Sequence, residues 1–149
     1  MIMTEVDSSI RVLEFTRDQR VEAPIDIVFE TLLEECGPRN ERMPGDPMPM
    51  TLEAWPGGRW FRDLGDNAGH LWGHVQVIKP PNVLEICGPM FMSYPAAGHI
   101  SWRLRKDGAA TILTLTYKAF GLIPEEHSTG VRNGWTIWME RIARSAEAK

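Results

Sequence analysis

The chain has 149 residues, 43% of them hydrophobic and 24% charged, which is the make-up of one globular domain able to bury ~68–70% of its unfolded surface. A formal net charge of −4, with no run of Lys or Arg, excludes a nucleic-acid binder. No apolar run approaches the ~18 residues of a membrane span, and Met1–Ile10, carrying Glu5 and Asp7, lacks the apolar core of a signal peptide, so the expected compartment is the cytoplasm.

Residues 1–9 are expected to form a flexible tail on a single domain spanning 1–149. Ile10 to Val21 reads as a strand, with Leu13, Phe15 and Val21 on one parity and Glu14, Asp18 and Arg20 on the other. Ala23-Pro24 ends it, because proline lacks the ladder donor, and the fixed φ of Pro24 suits a helix start. Ile25, Val28, Phe29, Leu32 and Leu33 then follow at helical spacing as far as Cys36-Gly37-Pro38. Residues 37–49 read as a Pro- and Met-rich loop, with room for a helical turn around Arg39 to Met43.

Two short runs, Met50 to Trp55 and Arg59 to Asp63, flank Pro56-Gly57-Gly58 and predict a hairpin. After a loop at 65–69, Leu71 to Ile78 predicts a long strand with Leu71, Val75 and Val77 on one face. Pro80-Pro81 breaks it, and Val83 to Cys87 returns. An apolar connection at 88–98 leads to Ile100, Trp102 and Leu104, which alternate with charged residues, and past a turn at 106–108 to Leu113, Leu115 and Tyr117. Pro124 is expected to open a final helix in which Val131, Trp135, Trp138, Met139, Ile142 and Ala146 share one arc at ~100° per residue. Arg132, Arg141 and Arg144, interleaved with Glu140 and Glu147, read as its solvated face.

So broad an apolar arc has to lie against something equally broad, and the preceding chain offers strands. The expected fold is α+β: a curved antiparallel sheet of about seven strands wrapped around a long C-terminal helix, with one or two short helices after the first strand. Cys36 and Cys87 form no CxxC pair and read as reduced thiols, a single disulfide being the weaker reading.

Several local signatures resemble the START-related (SRPBCC) superfamily, whose helix-grip fold is shared with the birch-pollen allergen. They are Arg20-Val21-Glu22-Ala23-Pro24 leading into Ile27-Val28-Phe29, the Pro56-Gly57-Gly58-Arg59 turn, Gly73-His74-Val75 followed by Pro80-Pro81, and Gly134-Trp135. Within it they are most similar to the branch that resembles the activator of heat-shock protein 90 ATPase. The chain departs from that branch after its first helix, where Arg42-Met43-Pro44-Gly45 stands in place of tryptophans.

Adaptable apolar side chains dominate the candidate site. The expected pocket lies between final helix and sheet, lined by Trp135, Trp138 and Met139 from the helix, Trp102 and Tyr117 from strands, and Met90, Phe91, Met92 and Tyr94 from the long connection. Its expected occupant is a small hydrophobic or amphipathic molecule; the bland alternative is that these side chains simply fill the core. A cyclase- or dehydratase-like enzyme using the same pocket would draw its proton carriers from His74, Arg59 and Asp63. Arg59 has a competing reading, an ion pair across the turn with Glu53. A third reading is an interaction module with a protein partner or a homodimer. His70 and His74 sit ~13 Å apart if that segment is a strand, so no metal site is expected, and no phosphate loop or nucleophile motif calls for a cofactor.

Overall fold

The computed structural model describes residues 9–149, so the expected N-terminal tail lies outside the described residues except for Ser9. The chain runs β1 (Arg11–Val21), α1 (Ile25–Cys36), β2 (Glu41–Met43), β3 (Asp46–Pro47), β4 (Thr51–Leu52) and β5 (Arg59–Gly65). It continues through β6 (Ala68–Lys79), β7 (Val83–Gly88), β8 (Ala96–Asp107) and β9 (Ala110–Gly121) to α2 (His127–Glu147). Seven strands form one antiparallel sheet in the order β1-β9-β8-β7-β6-β5-β4, and β2 and β3 form a separate two-stranded ribbon. The meander from β4 to β9 needs only short links, and β1 closes it by pairing with β9 along its whole length.

One face of this sheet is apolar because its strands alternate. Ile100, Trp102 and Leu104 on β8 and Leu113, Leu115 and Tyr117 on β9 are buried, while Arg103 and Arg105 between them are exposed. Against that face lies the arc of α2: Val131, Trp135, Trp138, Met139, Ile142 and Ala146 are all buried. The architecture is the α+β helix-grip arrangement, with one helix after the first strand.

Four local expectations are corrected. After a turn at 37–39, Glu41–Met43 is a strand, not part of a helical turn: Met48 N–H donates to the Asn40 carbonyl and draws the chain into the β2–β3 ribbon. The final helix begins at His127: Pro124 instead accepts from the His127 N–H in a turn that leads into it. Leu71, Val75 and Val77 do not share a face. Two register shifts in β6, one beside Trp72 and one beside Gln76, leave Leu71 45% exposed while Val75 is buried. Finally, Arg141 is not on a solvated face: it is 7% exposed and pairs with Glu35 of α1.

Candidate functional site

The first shift in β6 builds one wall of the site. Trp60 pairs with Gly73 and Phe61 with Leu71, so Trp72 is the extra residue of a β-bulge and turns to the same side as its neighbour Gly73. Gly73 itself is required by close approach, since a Cβ there would sit 2.6 Å from the Cys87 carbonyl oxygen. Trp72 thereby meets Trp60 edge-on at 5.1 Å and Trp138 at 6.4 Å. Trp60 is held in place beneath them, its indole N–H donating to the Cys36 carbonyl at 2.7 Å.

The helix supplies the floor. Trp135 and Trp138 stack nearly parallel, 7° between planes and 5.0 Å between centroids. Beside them Gly130 and Gly134 leave the helix backbone bare. The β7–β8 connection supplies the opposite lip: Met90 is buried with its N–H on the Trp72 carbonyl, which holds Phe91 edge-on to Trp72 at 6.1 Å. The third side is the β2–β3 ribbon, through Asn40, Glu41, Arg42 and Met48. Together these enclose a cleft of ≈ 350 Å³ with an aromatic floor and a polar end at Arg141.

At the polar end two arginines meet three carboxylates. Arg141 donates from Nε to Glu35 at 2.8 Å, and Arg42 donates twice to Asp46 at 2.7 and 2.9 Å. Glu41 accepts the Gly45 N–H at 2.7 Å and stands 3.8 Å from Arg141. Three residues that line the cleft carry a buried side-chain nitrogen without a hydrogen-bond partner: Asn40 Nδ2, Trp135 Nε1 and Trp138 Nε1.

Of the residues expected in the pocket, Trp135, Trp138 and Phe91 line this cleft. Phe91, Met92 and Tyr94 line a second cavity of ≈ 360 Å³, which shares Phe91, Gly130 and Val131 with the first. There the Tyr94 hydroxyl lies 3.0 Å from His127 Nδ1, and burial followed by the charge of Glu126 raises the Tyr94 pKa. Tyr117 borders a third cavity of ≈ 200 Å³; burial pushes its pKa up, and its hydroxyl has no partner. Trp102, Met139 and Met90 are fully buried and line none of these three, so that part of the gap between helix and sheet is packed core.

The proton carriers considered from sequence are elsewhere. Arg59 and His74 are paired in register and exposed, on the sheet face opposite buried Trp60 and Gly73. Arg59 grips Glu53 at 2.8 and 2.9 Å and holds that carboxyl down at about 2, which is the ion-pair reading rather than the inward one. Exposed Asp63 accepts the Gly65 N–H at the β5–β6 turn. His70 accepts the Trp72 indole N–H at 3.2 Å. Among the described residues, no group of three or more His, Cys, Asp or Glu is placed to hold a metal ion, and no helix is long and apolar enough to cross a membrane.

Sequence reasoning missed Asn40, Arg141 and the two helix glycines. The glycines were legible as costly residues within a helical pattern; the pairing of Arg141 with Glu35, 106 positions away, left no local signal.

No protein-family model matches this chain, and no curated protein matches it in sequence. Solved structures match it closely in shape. A protein from Rhizobium leguminosarum superposes with a TM-score of 0.75 at 15% identity, over 97% of this chain and 100% of that one. Ara h 8.0201 gives 0.67 at 11% identity over 93% and 100%. DynU16, from the dynemicin biosynthetic locus, gives 0.61 at 22% identity, over 91% of this chain and 47% of its own. At these identities the likeness establishes the fold alone, which is the helix-grip fold.

Proposed function

We propose that the chain binds a small hydrophobic or amphipathic molecule in the cleft between the N-terminal half of α2, the β2–β3 ribbon and the Trp72–Phe91 wall. The observation that carries this reading is the pair Gly130 and Gly134. Each forgoes about 0.8–1.0 kcal/mol of helix stability relative to alanine. Neither does so for packing, because a Cβ at either position would meet nothing within 4 Å. Both face the cleft, where bare backbone beside aromatic rings suits a ligand lying flat against the helix. Burial of such a ligand contributes ~25 cal/mol per Å² of apolar surface, and the polar end orients it. The biosynthetic locus of DynU16 is in keeping with a small-molecule occupant. The resemblance to the chaperone-ATPase-activator branch rests on sequence signatures and adds no contact surface to this reading.

The test is Gly134→Leu, which fills the cleft from a position with free space around it. Binding of the neutral dye Nile red, followed by its fluorescence, should be lost while the circular dichroism is kept and the melting temperature is not lowered. Undiminished binding in the variant would remove the cleft from consideration.

A further inference from the structure

We infer that the cleft and the second cavity form one elongated site whose occupant is a long amphipath: an apolar ring system on the tryptophans, continued by a chain that ends in a hydroxyl group beside Tyr94 and His127. The inference rests on the binding reading above and adds the length and the head group of the ligand. The two cavities, of ≈ 350 and ≈ 360 Å³, meet at Phe91, Gly130 and Val131, which line both. Either volume alone is near the small end for a ligand pocket, and the two joined fall well within the ordinary range. Helix α2 runs the length of the joined site. His127 lines one end and Arg141 the other, ~21 Å apart along the helix at 1.5 Å per residue. Gly130 sits at the neck between them. A Cβ there would meet nothing within 4 Å, so the helix leaves the passage open where a side chain would narrow it.

The two ends differ in chemistry. In the cleft, Trp72, Trp135 and Trp138 supply aromatic area, and the arginines at its far end are already engaged, Arg141 with Glu35 and Arg42 with Asp46. In the second cavity the lining turns to hydroxyl, imidazole and carboxylate groups, from Ser93, Tyr94, His127 and Glu126. The Tyr94 hydroxyl and His127 Nδ1 lie 3.0 Å apart. When the phenol donates to Nδ1 its oxygen is left to accept, and when Nδ1–H donates to the phenol its O–H is left to donate. A ligand hydroxyl, which both donates and accepts, suits either tautomer. A carboxylate suits the wall less well: Glu126 sets a like charge beside it, and none of the described residues lining this cavity is Lys or Arg.

The test uses three probes with the same ring system: ethylnaphthalene, which is long enough for the cleft alone, naphthylhexanol and naphthylhexanoate, titrated calorimetrically into the intact protein at mildly alkaline pH. The alcohol should bind at least about tenfold more tightly than ethylnaphthalene, from the added apolar burial, and severalfold more tightly than the acid. Gly130→Leu, which plugs the neck, should bring the alcohol down to the affinity of ethylnaphthalene. Tyr94→Phe should weaken the alcohol severalfold and leave ethylnaphthalene unchanged, with circular dichroism confirming the fold of both variants. The inference is overturned if the alcohol binds no more tightly than ethylnaphthalene, if its advantage survives Gly130→Leu, if Tyr94→Phe leaves it untouched, or if the acid matches it. In each of these cases, binding of ethylnaphthalene or Nile red leaves the binding reading intact. If neither Nile red nor any probe binds, that reading fails and takes the inference with it.

Discussion

Arg141 of α2 and Glu35 of α1 meet at 2.8 Å with side-chain exposures of 9% and 3%, so the two helices are joined by an ion pair out of reach of water. The rest of the pair's hydrogen bonding is supplied around it. Ser145 donates to the second Glu35 oxygen at 2.8 Å, and Arg141 donates onward to Asn40 Oδ1 at 3.1 Å and to the Glu41 carbonyl at 3.3 Å. A buried pair is strongly sensitive to loss of one partner, because the survivor is left charged and dry.

Arg141→Leu should therefore cost about 3–5 kcal/mol in urea unfolding, and the double variant Glu35→Leu/Arg141→Leu should cost less than the single one. Equal or additive losses would show that the pair is not coupled.

Trp135 stacks on Trp138 and meets Trp102 and Tyr117 at 6.4 and 5.2 Å, which places it at the centre of the seam between helix and sheet. Trp135→Ala should destabilise by about 3–5 kcal/mol through lost transfer energy and the cavity left behind. A loss below about 1 kcal/mol in chemical denaturation would contradict this packing.

Gly134→Ala should stabilise the protein by about 0.5–1 kcal/mol, since it removes a helix-interior glycine where the added methyl has room. Thermal unfolding without ligand measures it, and a lowered melting temperature would mean that the glycine serves the fold.

The Glu53 carboxyl is held at about 2 in the folded protein by its hydrogen bonds to the Arg59 side chain and backbone, against an ordinary value of 4.5. A depressed folded value means the contribution is complete above pH 4.5 and drains away as pH falls toward 2. Because the pair is exposed the effect is modest, and Glu53→Gln should flatten that part of the acid limb in a stability–pH profile. An unchanged limb would place the acid sensitivity in other carboxylates.

The strands and the long helix were legible because their signals are local. Alternation marks β8 and β9, and the arc from Val131 to Ala146 marks α2. The site was only partly legible, for three physical reasons. The bulge at Trp72 resets parity in β6, so alternation counted from Leu71 points the following residues the wrong way. Arg141 has the sequence surroundings of a surface cation, and only the return of α1 beneath α2 makes it a buried one. The Trp102 and Met139 side chains carry the same apolar signal whether they bound a cavity or fill it, and here they fill it.

The β2–β3 ribbon hydrogen-bonds to no strand of the seven-stranded sheet, and two short strands by themselves are marginally stable in water. It is tied to the rest by the Asn40 N–H on the Gly37 carbonyl, by Arg141 on both Asn40 and Glu41, and by the burial of Met48 in the core. Its backbone amides should therefore exchange with solvent faster than those of β8 and β9, which pair with strands on both sides.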